Sequence, residues 1–282
     1  MTRASSFEAF IAAGEPFDLL RGVSLLARDE QPSLDPVEIE AQVDALAQPL
    51  LAKNLSAETA AHQAEALRCH LFVDLGFHGN EADYYAPENS LISAVLARRT
   101  GIPISLAVVY CEVAQRAGIR ASGVAFPGHF IVRIDDAGGS VALVDPFFGG
   151  RALDDVGLAA LEQRVTAQGA MPRRPSSSLA PELLVAASSR SVLLRWLMNL
   201  RGVHLQRGDF ARALVALDRI VTLVPTDASA LRDRGLLAAR LGAVEQGRAD
   251  LTRAGECATD PALAARIRAD LVKLGTKPAS VH

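Results

Sequence analysis

Apolar residues recur at helical spacing through roughly the first 75 positions. Phe7, Phe10 and Ile11, then Phe17, Leu19, Leu20, Leu25 and Leu26, follow that period, with Pro16 and Pro32 as breaks. Ser33 or Asp35 is placed to cap a further helix whose first turn accepts Pro36. Ile39, Val43, Leu46 and Leu50 give that helix one apolar stripe, and Ser56-Ala-Glu-Thr opens the next, through Leu67 and Leu71. The texture changes at Gly76, where GFHGNEADYYAPENS predicts a loop carrying aromatics. Asn89 or Ser90 can cap a helix through Arg99 that Gly101 ends. Pro103 then fits the first turn of a helix reaching about Ala117, with Gly118 as its stop. From there the period falls to two: Ile119–Phe126, Phe130–Ile134 and Val141–Val144 read as strands, the last two forming a hairpin across DDAGG.

The stretch 168–181, QGAMPRRPSSSLAP, gathers prolines, a glycine and a serine run, and marks a domain boundary. Beyond Glu182 the pattern is helical again. Gly208-Asp-Phe-Ala-Arg-Ala-Leu, with Pro225 twelve residues after Ala213, resembles the second half of a tetratricopeptide-type repeat. A weaker copy follows through Leu231, Gly235, Ala239, Leu251 and Ala254 to Asp260-Pro261, and the two prolines lie 36 residues apart. Small residues are needed there because paired helices approach closely. Since ~3 repeats are usually required for independent stability, the tail is expected to pack on the first domain or be capped by flanking helices over 191–206 and 262–274.

Composition narrows the function classes. The chain has 282 residues, half of them apolar, which argues against extensive disorder. With 29 basic and 32 acidic residues and a net charge of −3, it carries no electrostatic signature of nucleic acid or anionic membrane partners. The 5% aromatic content weakens any base-stacking platform. No ~18-residue apolar run predicts a membrane span, and Glu8 and Glu15 interrupt the N-terminus where a signal peptide would need an apolar core. The expected compartment is cytoplasmic. Cys69, Cys111 and Cys257 form neither a disulfide framework nor a zinc half-site, and His70 and His78 beside Cys69 fit no zinc spacing. Gly138-Gly139 and Gly149-Gly150 serve turns rather than phosphates. No metal and no cofactor are expected.

The sharpest chemical signal lies in five short stretches: Gly76-Phe-His-Gly-Asn, Tyr84-Tyr-Ala-Pro-Glu-Asn-Ser, Gly101-Ile-Pro-Ile-Ser-Leu-Ala, Phe126-Pro-Gly-His-Phe and Asp145-Pro-Phe-Phe-Gly-Gly. Together they resemble the transglutaminase-like superfamily, and more narrowly its SirB-type members, which join such a domain to a repeat tail. The likeness is strong over about residues 60–150 and weak in the tail. It implies an α+β fold: a papain/transglutaminase-like domain over 1–167, a linker over 168–181 and all-α tetratricopeptide-like repeats over 182–282.

Active members of that superfamily are understood to use a cysteine at a helix N-terminus, a histidine on a following strand and an aspartate on the next. Unsatisfied N–H groups and the helix dipole favour a thiolate at such a helix end. The histidine moves the proton and the aspartate fixes its tautomer. In the family pattern the glycine that ends the helix follows the cysteine by fifteen residues, and counting back from Gly118 lands on Pro103. Cys111, eight residues further along, would lie ~12 Å from that helix end. His129 matches the family histidine and Asp145 the aspartate. A hairpin turning about Ala137 pairs positions summing to 274, which sets His129 directly opposite Asp145.

Two functions follow as expectations. With proline at the nucleophile position, the resemblance implies a non-catalytic adaptor or regulator, regulation being what the family name associates with it, whose repeat tail binds a protein or peptide partner. The alternative is a hydrolase or acyltransferase using Ser105, His129 and Asp145, with Asn89, Pro103 and Phe126 lining the cleft. The bland readings are that Ser105 accepts backbone N–H groups at the helix start, that Asn89 caps its helix and that the His129–Asp145 pair is a structural hydrogen bond.

Overall fold

The computed structural model describes residues 6–126, 128–167 and 184–276. It contains two compact units, Glu15–Trp196 on one hand and Met1–Gly14 with Leu197–His282 on the other. The stretch 168–181, expected to part the domains, lies outside the described residues. The division falls at Trp196/Leu197, and Met1–Gly14 groups with the tail rather than with the domain it precedes in sequence. The reason is local. Helix α1 (Phe7–Ala12) is too short for a core of its own, and it buries Phe7 and Phe10 within the tail unit.

The Glu15–Trp196 unit begins with α2 (Leu19–Ala27), α3 (Pro36–Leu51) and α4 (Ala60–Arg68), the last continuing into a π-helical turn, Cys69–Asp74. Asp35 caps α3, accepting from Val37 N at 2.9 Å, with Pro36 in the first turn. Helix α4 starts four residues later than the pattern suggested. Thr59 Oγ1 accepts from His62 N, and Asp136 Oδ2, from the sheet hairpin, accepts from Ala60 N at 2.9 Å. Strands β1 (His78–Gly79) and β2 (Thr100–Gly101) form a short parallel pair flanking α5 (Ile92–Arg98). Neither Asn89 nor Ser90 caps α5, which begins behind Leu91 without a side-chain cap. Nor does Gly101 end it: Arg99 does, in the left-handed region at φ 54°.

Helix α6 (Pro103–Arg116) is buried at every residue from Pro103 to Ala114. A helix apolar on all sides is central to its domain, and α6 packs against α3 on one side and the sheet on another. That sheet is antiparallel in the order β3 (Arg120–Val124), β4 (Ile131–Asp135), β5 (Val141–Asp145), β6 (Arg151–Ala152), and is followed by α7 (Asp155–Ala167). Gly123 leaves the room Phe130 fills: a Cβ there would lie 2.5 Å from the Phe130 ring.

The hairpin register differs from the one expected. Val132 faces Val144, so paired positions sum to 276 and Asp145 stands opposite position 131. The turn is centred on Gly138, because Asp136 closes it twice: its N–H donates to Ser140 O at 3.0 Å and its Oδ1 accepts from Ser140 N at 2.8 Å. The N–H groups of Ala60, first, and of Ser140 hold the Asp136 carboxyl below the usual carboxylate range. A depressed folded-state pKa gives stability that is present above the unfolded value, about 3.9, and lost as pH falls through the folded one. Asp136→Asn should therefore flatten the acid limb of the urea midpoint measured between pH 6 and pH 2. An unchanged limb would count against this cap.

The tail unit holds α1, the later part of α8 (Ser189–Gln206), α9 (Phe210–Leu223), α10 (Ala228–Arg240), α11 (Val244–Cys257) and α12 (Pro261–Thr276). Asp209, Asp227 and Asp260 each accept backbone N–H groups at a helix start. Helices α10 and α11 touch backbone to backbone through Gly235 and Gly247. Beside that contact Arg234 bridges Asp250 at 2.6 Å and Asp218 at 3.0 Å. Among the described residues no helix is long and apolar enough to cross a membrane.

Candidate functional site

Three backbone segments build the site: the start of α6, the turn before β4 and the end of β5. The β1–β2 pair sets Gly79 beside Gly101, two residues before α6. Gly79 in turn lies against Phe147, whose ring a Cβ at position 79 would meet at 2.6 Å. Phe147 stands edge-on to the His129 ring, centroids 6.3 Å apart, so one phenylalanine links the helix tip to the histidine.

His129 and Asp145 are hydrogen-bonded, Nε2 to Oδ2, at 2.9 Å, and only 8% and 1% exposed. They meet diagonally, not face to face. The register is displaced by two positions from the expected one, which preserves the face each side chain occupies. A diagonal neighbour is within reach of a ring as long as imidazole. The other carboxylate oxygen, Oδ1, accepts from Phe147 N at 3.1 Å and Phe148 N at 3.4 Å. Asp145 is thereby fixed on both sides, and an ionised carboxylate there can only accept, so the bond calls for a hydrogen on Nε2.

The first side chain of the helix tip has neither thiol nor hydroxyl. Pro103, buried, holds the first position of α6. Ser105 is fully buried and its hydroxyl is engaged by its own helix start: Oγ accepts from Ile102 N at 3.0 Å and donates to Ile102 O at 3.1 Å. Gly101 is required for this, since a Cβ there would sit 2.5 Å from Ser105 Oγ. Cys111 is buried within α6, and burial pushes its thiol well above the ordinary range. Cys69 is also raised, chiefly by its contact with Glu65. Among the described residues no three His, Cys, Asp or Glu side chains come together as a metal ligand set.

The other residues singled out from the sequence act indirectly. Asn89, fully buried, accepts from Asn80 Nδ2 at 3.0 Å and donates to Asp83 O at 2.8 Å and Tyr84 O at 3.0 Å. It pins the aromatic loop instead of capping a helix. The Phe126 side chain is in the core with Val124, Ile131 and Leu143, but its carbonyl accepts from His129 N at 3.0 Å and shapes the histidine turn.

Three further residues of the site were not singled out from the sequence. Tyr84 is 39% exposed and stands edge-on to Phe147 at 5.9 Å, and burial of its hydroxyl end raises that group. Phe148 stacks on His129 at 6.1 Å. Arg195, on α8, donates to Phe126 O at 3.1 Å, and burial works against its charge. Tyr84 and Phe148 stand inside recognisable motifs, but Arg195 is one arginine on an unremarkable helix and only the fold brings it here.

The chain is similar to proteins of known families. A family model described as the transglutaminase-like superfamily matches residues 37–198, and one described as tetratricopeptide repeat matches residues 200–271. A UPF0162 protein of Xylella fastidiosa (strain 9a5c) is 38% identical over 272 residues, covering 95% of this chain and 94% of its own. A UPF0162 protein of Pseudomonas aeruginosa is 30% identical over 249 residues, 88% of each chain. The mouse protein named F-box only protein 21 is 41% identical over 76 residues, 27% of this chain and 12% of its own. No solved structure matches the chain.

Proposed function

The chain belongs to the transglutaminase-like superfamily and, within it, to the UPF0162 proteins, and from that membership we propose that it is a non-catalytic adaptor or regulator that binds a protein or peptide partner through its repeat helices. One observation carries the reading. Proline, which has no thiol, hydroxyl or exchangeable proton, occupies the helix tip where the superfamily's nucleophile is expected, and the nearby serine is bonded into its own helix. A base without an attacking group does not perform covalent acyl transfer. The tetratricopeptide match supports the second half, because stacked helix pairs of this kind present extended binding surfaces.

The intact His129–Asp145 pair favours the other reading, a hydrolase or acyltransferase using Ser105. The two are separated by a fluorophosphonate probe. No label is expected at Ser105 of the wild-type chain; labelling that disappears in His129→Ala would establish the enzyme. For the tail, the full chain carrying Val215→Glu or Leu241→Glu, both at exposed apolar positions, should lose the partners that the wild-type chain retains from its source cell. Retention of all partners by both variants would count against binding through this surface.

A further inference from the structure

Arg195 sits directly on the turn that presents His129. Its Nη1 donates at 3.1 Å to the Phe126 carbonyl oxygen, the same oxygen that accepts His129 N at 3.0 Å. Its guanidinium carbon lies 5.6 Å from the centre of the Phe130 ring, the residue after His129. A guanidinium has five N–H donors, and this carbonyl takes one. Among the described residues no carboxylate lies within ion-pair distance of Arg195. Comparable half-buried arginines of this chain each have one: Arg116 meets Glu112, Arg232 meets Asp270 and Arg234 meets Asp250. A partly desolvated cation without a counter-charge is costly unless an anion reaches it. Arg195 is itself only partly buried.

The surroundings define what the anion is attached to. Tyr84, half exposed, stands edge-on to Phe147, and Phe147 edge-on to His129, so a row of aromatic rings runs out from the histidine whose turn Arg195 holds. Tyr84 and Arg195 are near enough for each to act on the other's charge. A planar guanidinium matches a carboxylate with two parallel hydrogen bonds, and aromatic edges accept a flat apolar group next to it. We propose that Arg195, with Tyr84 and Phe147, forms a carboxylate-binding site beside His129 that takes the carboxylate of a peptide bearing an aromatic residue. This goes beyond the adaptor reading and does not rest on it, since it concerns the Glu15–Trp196 unit and not the repeat helices.

The test uses the full chain and three small probes: N-acetylphenylalanine, its amide, and N-acetylglutamic acid α-amide. Binding is followed by titration calorimetry and by the imidazole proton signals of His129. N-acetylphenylalanine is expected to bind and shift those signals, with the amide at least tenfold weaker. Preferential binding of the glutamate probe, which carries no ring, would overturn the aromatic ligand. Arg195→Gln should lose at least tenfold in affinity for the acid, and Arg195→Lys should recover part of it. Equal binding of acid and amide, no binding of either carboxylate, or full affinity in a folded Arg195→Gln would overturn the proposal. Should Arg195→Gln fail to fold for want of its bond to Phe126, the acid–amide contrast on the unaltered chain decides.

Discussion

Asp145→Ala is expected to cost the Glu15–Trp196 unit about 3–5 kcal/mol, the range for removing one member of a buried hydrogen-bonded pair. The side chain is 1% exposed and serves three donors: His129 Nε2, Phe147 N and Phe148 N. Alanine orphans all of them where water has little access, and each buried unpaired donor costs about 1–3 kcal/mol. Asp145→Asn should cost less, about 2 kcal/mol. The amide keeps one oxygen, which can serve either the imidazole or the two backbone groups but not both sides. His129→Ala should fall below Asp145→Ala, because it leaves Asp145 Oδ1 still occupied by Phe147 and Phe148. Urea denaturation of the three variants checks the order. A loss under 1 kcal/mol for Asp145→Ala would mean that the pair does not hold this corner of the domain.

Gly247→Val in the tail should lower stability by about 3 kcal/mol, toward the upper end of what overpacking causes. A Cβ at Gly247 would stand 2.6 Å from Gly235 O and 2.9 Å from Ala239 Cβ, and the first of these neighbours is backbone, which cannot rotate away. Helices α10 and α11 would have to separate, loosening the bridge from Arg234 to Asp250. Alanine at the same position should cost less, because it regains up to about 1 kcal/mol of helix propensity over glycine. Gly235 makes the reciprocal contact, with a Cβ there 2.8 Å from Gly247 O. The double variant Gly235→Ala, Gly247→Ala is therefore expected to be less destabilised than the sum of the singles, since one separation relieves both clashes. Thermal unfolding with a tail reporter, such as the signals of Phe210, measures this. Strict additivity would argue that the two glycines do not share one contact.

The site was partly legible in the sequence. The spacing from Gly118 back to Pro103 identified the helix tip, and that residue does open α6. Alternation placed His129 and Asp145 on one face of a hairpin, and they are bonded there, although the turn centre was assigned to Ala137 instead of Gly138. The error was harmless because it moved the register by two, an even number. Asn89 shows the opposite case. Its residue type suggested a cap, but a buried amide facing two carbonyls of the loop is better satisfied there than by a helix end.

The sequence by itself determined the α+β character of the first domain, the repeat helices of the tail and the proline that opens α6. Each depends on residue type or on short-range period, which the chain carries locally. Only the tertiary structure decided that Met1–Gly14 joins the tail, that Asp136 sets the hairpin register while capping α4, and that Arg195 shares a carbonyl with His129. Those outcomes depend on contacts between residues far apart in the chain, and a polar or apolar side chain takes whichever partner the packed fold brings within reach.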